Sequence, residues 1–259
     1  TYFTWHWIFL INVPIGIVGL IMSAIFLPAI KDEPTSNLDW MGFFLVATAA
    51  SGIVFGMSVI SLPALPQATG IITTLIGIAA ALAYLWHARR RANPLLNLKL
   101  FQTPTYRAAV GASAFFRMAT GAFPFLMPLM LQLGFGLNPF QSGMITFVGA
   151  VGALVMKFIA PRVFAAYGFR TVLMVAALGA SLLTMSFAFF EATTPYIIIV
   201  TLLFATGLCR SFFFTGVNAL GYADIEPAQA SQATASTSMF QQVSLALGVA
   251  FAATILEVT

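Results

Sequence analysis

The feature that most constrains this chain is a run of 49 positions, residues 40–88, that contains no Asp, Glu, Lys or Arg. An α-helix rises about 1.5 Å per residue, so about 20 apolar residues cross the roughly 30 Å hydrocarbon core of a bilayer. The run is therefore long enough for two membrane-spanning helices. Pro63 and Pro66 mark the turn between them because proline lacks a backbone donor. We predict helices at about 40–61 and 67–88.

The rest of the chain has the same apolar character. Hydrophobic residues make up 60% of the 259 positions and charged residues 7%, whereas a soluble domain carries roughly 25% charged residues. Only helices and closed barrels satisfy their backbone groups in lipid, and no series of short alternating strands is present. We therefore predict an all-α integral membrane protein with about eight transmembrane helices. The other six lie at about 7–30, 105–133, 140–163, 170–191, 193–222 and 229–257.

The basic residues of the loops predict the orientation. They are confined to alternate loops, and these residues are Lys31, Arg89, Arg90, Arg91, Lys99, Arg107, Arg162 and Arg170. Loops rich in Lys and Arg face the cytoplasm, so we predict that these loops are cytoplasmic and that both chain ends are external. The net charge of +4 then reports topology, and no nucleic-acid partner is predicted. The start at Thr1, with an external first end, leads us to expect a longer protein with an odd number of helices upstream.

Four stretches carry a resemblance to a known family. Residues 5–16, Trp-His-Trp-Ile-Phe-Leu-Ile-Asn-Val-Pro-Ile-Gly, resemble the sixth-helix signature of the 14-helix drug–proton antiporters, the EmrB/QacA branch of the major facilitator superfamily. Residues 93–101 resemble the cytoplasmic connector of that branch, and residues 229–248 resemble its thirteenth helix. Residues 161–170 resemble a second copy of the superfamily's basic cytoplasmic loop, without its acidic member.

The resemblance implies part of a major facilitator fold, covering about helices six to thirteen. Residues 1–30 are then the last helix of the N-terminal bundle, residues 31–104 an inserted two-helix hairpin with the cytoplasmic connector, and residues 105–259 an incomplete C-terminal bundle. Within the branch, residues 87–89 and 99–101 are most similar to the enterobacterial multidrug-resistance type.

The same resemblance implies a secondary active transporter that is not an enzyme and needs no cofactor. It implies proton-coupled efflux of drugs or other small molecules across the bacterial inner membrane by alternating access. The implied partners are the small-molecule substrate, protons and the lipid bilayer, with a periplasmic adaptor as a further candidate. Within the predicted spans, no Asp or Glu lies deep in a helix. We therefore expect the proton-coupling carboxylate in the helices that precede this chain.

Arg117 is the most informative single residue. It lies about twelve positions into the fourth predicted helix, roughly 18 Å from the cytoplasmic end. An arginine at this depth costs several kcal/mol unless it faces protein or water, so we predict that it lines a cavity. The alternative is a structural pair with helix carbonyls. Arg210, in the inner half of the seventh helix, either joins the cavity or extends to the interface.

The candidate cavity also includes aromatic, methionine and amide side chains. Flexible methionines and aromatic rings accommodate varied ligands, whereas the amides are alternatively interhelical hydrogen bonds. The predicted cavity residues are Arg117, Phe116, Met118, Phe123, Met127, Gln132, Arg210, Asn218 and Gln241. The predicted helix-bending residues are Asn12, Pro14, Pro124 and Pro128, and the predicted cytoplasmic-loop residues are Arg162, Gly168 and Arg170.

Three other functions remain open from the sequence. Arg117 and Arg210 lack a balancing acid in their helices, which favours an exporter of organic anions or metal-chelating acids over one of cations. An intramembrane enzyme, such as a prenyl or glycosyl transferase, would need clustered Asp, His or Cys. The chain has two widely separated histidines and one cysteine, so neither a catalytic nor a metal site is predicted. A channel or purely structural subunit is the third alternative.

Overall fold

The computed structural model describes residues 10–26, 39–60, 66–91, 94–191 and 193–258. These ranges are overwhelmingly helical and contain no strand, which confirms the all-α prediction. The chain divides into two compact units, residues 1–37 and residues 38–259.

The first unit contains helix α1, Asn12–Phe26. Leu10 is helical, Ile11 forms a turn, and the helix resumes at Asn12. Asn12 and Pro14, the residues predicted to bend this helix, therefore lie at an interruption. Proline is tolerated there because the N–H groups of the first helical turn have no acceptor within the helix, so no hydrogen bond is lost. Residues 5–9 of the family signature lie outside the described residues.

The second unit begins with a helical hairpin. Helix α2, Trp40–Ile60, and helix α3, Gln67–Arg90, have almost the predicted bounds and pack against each other. Their backbones meet at two glycines, since a Cβ on Gly52 would lie 2.8 Å from the Cα of Gly77. Small residues of this kind allow close helix approach in membranes, where apolar burial does not drive association.

The fourth predicted helix is broken into three segments. Helix α4, Pro104–Thr120, is followed by a turn, then by helix α5, Phe123–Leu129, and by a π-helical turn, Met130–Gly134. Pro124 lies in the first turn of α5 and Pro128 lies inside it, just before the π turn. Because proline has no N–H to donate to the preceding turn, the regular α-helical hydrogen-bond pattern is interrupted here and a wider π turn follows.

Helix α6, Pro139–Ser186, contains two antiparallel helices joined at Gly168. Gly168 has a φ of +72°, a left-handed conformation that glycine adopts without steric cost. Both halves pack on helix α7, Tyr196–Tyr222. In the first half, residue 149 contacts Gly207 and residue 164 contacts Gly216, so this half runs parallel to α7. In the second half, residue 173 contacts Gly216 and residue 179 contacts Cys209, so this half runs antiparallel to α7, as expected for two separate spans.

Two predicted boundaries in α6 are wrong. The first half does not end at Pro161–Arg162 but continues through Pro161 to the reversal at Gly168. The residues beyond the proline, including Phe164, pack on α7, and this burial outweighs one lost hydrogen bond. The second half ends at Ser186 and a short 3₁₀ turn follows, Phe187–Phe189, so the helix does not reach residue 191.

Helix α8, Ala230–Val258, packs against α4 and contacts α2, while α7 packs against α4 and α6. Five helical segments of the described chain are long and apolar enough to cross a membrane, and they are 40–60, 67–90, 104–134, 139–189 and 196–222. The segment 139–189 contains the reversal at Gly168 and so supplies two spans. The chain is therefore a multi-pass membrane protein of the helical class.

Two of the loops predicted to be cytoplasmic, the connector and the loop at 223–229, lie together at one end of the second unit. The Thr105 hydroxyl donates to Asp224 at 2.7 Å, and the Tyr106 hydroxyl donates to the carbonyl of Ala233 at 3.1 Å. The 3₁₀ turn of the connector, Leu98–Gln102, packs into the same cluster through the buried Leu100.

Asp39 fixes the connector to the hairpin at this end. Its carboxylate is 3% exposed and accepts hydrogen bonds from the N–H groups of Gly42, at 3.0 Å, and Leu95, at 3.3 Å. His87 Nε2 lies 3.0 Å away and Arg91 Nε 3.6 Å away. Burial alone would raise the pKa of Asp39, but the hydrogen bonds from Gly42, His87 and Leu95 outweigh it and hold the pKa below its ordinary value.

We expect Asp39 to make the second unit sensitive to acid. A carboxylate whose pKa is depressed by folding stabilises the fold fully above its ordinary pKa of 3.8, and this contribution is lost as the pH falls through the lower folded-state value. In the full-length protein that carries this chain, Asp39→Asn should cost roughly 1–3 kcal/mol at neutral pH. It should also flatten the loss of thermal stability as the pH falls below about 5. The control is Asp224→Asn, and equal acid profiles for wild type and Asp39→Asn would contradict the expectation.

Candidate functional site

A cavity of about 510 Å³ lies between α5, the first half of α6, and α7. Its wall is mostly apolar, with a few polar groups and one guanidinium. The lining residues are Phe123, Pro124, Met127, Pro128, Thr146, Gly149, Ala150, Ala153, Leu203, Thr206, Gly207, Arg210, Ser211, Phe214, Thr215 and Asn218. A concave apolar site with a small number of polar groups is typical of small-molecule binding.

Two regular helix faces build most of this wall. Helix α7 contributes positions 203, 206, 207, 210, 211, 214, 215 and 218, and helix α6 contributes positions 146, 149, 150 and 153. In both sets single residues or adjacent pairs return after each helical turn, the pattern of one helix face. The small residues Gly149 and Gly207 bring the two backbones into direct contact beside the cavity. The prediction from sequence missed Thr146, Thr206 and Ser211, and of these only Thr206, four residues before Arg210, carried a spacing signal.

Arg210 is positioned in the cavity by an aromatic ring. Its guanidinium carbon lies 5.3 Å from the ring centroid of Phe123, which is in the first turn of α5. A guanidinium over a ring face is stabilised by the ring quadrupole by about 0.5–2 kcal/mol. Because the ring carries no net charge, it does not neutralise Arg210, and the guanidinium can still bind a ligand in the cavity.

Arg117 lies behind the cavity wall. Its guanidinium carbon is 4.4 Å from the ring centroid of Phe214, a lining residue. Its Nε is buried and has no hydrogen-bond partner in the part of the chain that the structure describes, although buried polar atoms in proteins are nearly always paired. Arg117 and Arg210 are close enough for their charges to repel. Among the described residues, neither of them has an Asp or Glu within ion-pair distance.

The structure brings together only part of the predicted cavity. Phe123, Met127, Arg210 and Asn218 line it, together with the predicted bending residues Pro124 and Pro128. Phe116 stacks on Phe213, with ring centroids 4.2 Å apart, and forms part of the packing that surrounds Arg117.

The remaining predicted cavity residues lie elsewhere. The backbone of Met118 is in close contact with Gly248 of α8, so this position serves helix packing. Gln132 is half-buried in the π turn, and Gln241 is half-buried on α8. The predicted cytoplasmic-loop residues Arg162 and Arg170 are exposed on either side of the reversal at Gly168.

Comparison with known proteins identifies the family. The model of the Major Facilitator Superfamily matches residues 1–249. "Putative multidrug resistance protein MdtD" of Enterobacter sp. (strain 638) is 34% identical over 98% of this chain and 54% of its own length. The proteins of the same name from Serratia proteamaculans (strain 568) and Klebsiella pneumoniae (strain ATCC 700721 / MGH 78578) are 34% and 32% identical, over 97% and 98% of this chain and 52% and 54% of their own lengths.

The chain spans about half the length of the curated relatives it matches. The resemblance seen in residues 5–16, 93–101, 161–170 and 229–248 is confirmed, both for the superfamily and for its multidrug-resistance members. Since the family model covers nearly the whole chain and the helices have the apolar length of membrane spans, the chain belongs to the Major Facilitator Superfamily.

Proposed function

We propose that this chain is part of a secondary active transporter that exports small molecules across the bacterial inner membrane. Export is coupled to proton entry and proceeds by alternating access, with a periplasmic adaptor as a candidate partner. The observation that carries the proposal is the cavity of about 510 Å³ inside the membrane-spanning part of the chain, with Arg210 in its wall. A charged side chain in such a position is expensive unless it serves a substrate or ion path.

The broken helix beside the cavity supports the same proposal. The α4–α5 turn and the π turn at 130–134 interrupt the helix that carries Phe123, Pro124 and Met127 into the wall. Interrupted helices at membrane depth occur where they line a cavity, and in transporters they mark the binding region. The relatives with the multidrug-resistance name support efflux as the direction of transport.

A second candidate function, the export of organic anions or metal-chelating acids, rests on a separate observation. Arg117 and Arg210 repel each other near the cavity, and no described acid pairs with either of them. An anionic substrate would relieve this repulsion and complete the hydrogen bonding of the guanidinium groups. A cationic drug would meet two like charges at the same place.

The test uses the full-length protein that carries this chain, in inverted membrane vesicles energised by an imposed proton gradient. Uptake is measured for three probes: ethidium as a lipophilic cation, fluorescein as an aromatic anion, and a chelating polycarboxylate. We expect uptake of at least one probe, and we expect that this uptake is lost when the proton gradient is dissipated. Gradient-dependent uptake of the anions alone supports the second candidate, whereas no gradient-dependent uptake of any probe would contradict both.

A further inference from the structure

A second groove, of about 480 Å³, lies on another side of α7 and does not share a lining residue with the arginine cavity. The groove is almost entirely apolar. Its lining residues are Val163, Tyr167, Thr171, Val172, Val175, Ala176, Leu208, Cys209 and Phe212. We call it the reversal groove, because residues from both sides of Gly168 form it.

The reversal groove has a buried floor and an open rim. Val172, Ala176 and Phe212 at its floor are buried, whereas Tyr167 and Val175 at its rim are 69% and 65% exposed. An apolar floor under an exposed rim in a membrane-spanning region is suited to contact with the hydrocarbon of a lipid.

The groove extends from the reversal to the middle of the membrane-spanning region. On the second half of α6 it is lined from Thr171, three residues beyond Gly168, to Ala176, about 8 Å along the helix axis. On α7 it reaches Leu208 and Cys209, at the middle of Tyr196–Tyr222. This is the range of depth of one acyl chain in the leaflet that we predict to be cytoplasmic.

Two arginines adjoin lining residues of the groove along the chain. Arg162 precedes the lining residue Val163, and Arg170 precedes the lining residue Thr171. Both arginines are exposed, and neither makes an ion pair with any residue that the structure describes. Basic residues at the cytoplasmic mouth of a cleft between transmembrane helices favour anionic lipid head groups.

We propose that the reversal groove binds one anionic phospholipid of the cytoplasmic leaflet. Its phosphate lies against Arg162 and Arg170, and one acyl chain lies along Val172, Ala176 and Phe212. A membrane-spanning helix from elsewhere in the protein fits less well, because it would need contact along roughly 30 Å, whereas the groove ends near the middle of α7. A soluble phosphate would satisfy the arginines but would leave the apolar floor uncovered.

The test is native mass spectrometry of the full-length protein in detergent, titrated with dioleoyl phosphatidylglycerol or with dioleoyl phosphatidylcholine. The first phosphatidylglycerol should bind about tenfold more tightly or better, because each basic residue near an anionic surface contributes roughly fivefold. Arg162→Gln/Arg170→Gln should remove this preference. Arg89→Gln/Arg90→Gln, which removes two charges from another predicted cytoplasmic loop, should keep it.

A second pair of variants tests the apolar part. Thr171→Trp should cover the groove and weaken the first binding of both lipids, whereas Met174→Trp, on an exposed position outside the groove, should leave it unchanged. Excess glycerol 3-phosphate should not displace the bound phosphatidylglycerol. Equal affinity for the two lipids, an unchanged preference in the Arg162/Arg170 variant, unchanged binding in Thr171→Trp, or displacement by glycerol 3-phosphate would each overturn the proposal.

Discussion

Arg117→Ala is expected to lower substrate transport per folded molecule by at least about tenfold. Arg117 stacks on the lining residue Phe214 and so places a second positive charge just behind the cavity wall, and a charge this near a ligand in a low-dielectric site changes its binding free energy by roughly 1–3 kcal/mol without direct contact. Arg117→Lys should also weaken transport, since a point charge replaces a planar fork. The measurement is gradient-driven uptake into inverted vesicles from the full-length protein, normalised to the amount of folded protein.

The control for this prediction separates a role in transport from a role in packing. If Arg117 only fills space between Phe116 and Phe214, Arg117→Ala should reduce the amount of folded protein and leave normalised uptake unchanged. That result would remove Arg117 from the substrate path. Phe115→Ala serves as the matched control, because this side chain is 74% exposed and two residues away on the same helix.

The positions of the helices could be predicted from the sequence, because the apolar composition of each stretch determines that it spans the membrane as a helix. Stretches such as residues 40–60 and 67–90 have no alternative to the bilayer, and their bounds were correct within two residues. Pro161 was misread as a helix end, because the packing of Phe164 on α7 is a tertiary contact that local pattern does not contain. The bend before Met130 was predicted from Pro124 and Pro128, whereas the positions at which the helix breaks, after Thr120 and at Met130, were not.

The candidate cavity was predictable only in part, for a related reason. Arg210 and Asn218 stood out as polar residues in apolar helices, and both line the cavity. Gln132 and Gln241 stood out equally and do not line it. Polarity identifies a residue that needs a partner, but only the helix arrangement decides whether that partner is a cavity, a neighbouring helix or the membrane surface. Phe214, which lines the cavity and stacks on Arg117, carried no polar signal and was missed.

Asn218→Asp is expected to change which charge of substrate the cavity accepts. Asn218 lies on the same face of α7 as Arg210, it is exposed to the cavity, and aspartate has nearly its shape. The substitution adds a negative charge to a wall that holds an uncompensated guanidinium. Opposite and like charges across a binding surface change affinity by several kcal/mol, so we expect uptake of the anionic probe to fall by about tenfold or more.

Uptake of ethidium should rise in the same variant, because specificity depends as much on repulsion of the wrong ligand as on attraction of the right one. Asn218→Ser is the matched control, since it removes the amide and adds no charge. It should leave the ratio of anion uptake to cation uptake within about twofold of the wild-type ratio, as expected for the loss of one neutral hydrogen bond near a solvated cavity. If Asn218→Asp and Asn218→Ser give the same ratio, the charge of the cavity does not select the substrate. The organic-anion function would then lose its support, while the transport function would remain to be judged from the gradient dependence of uptake.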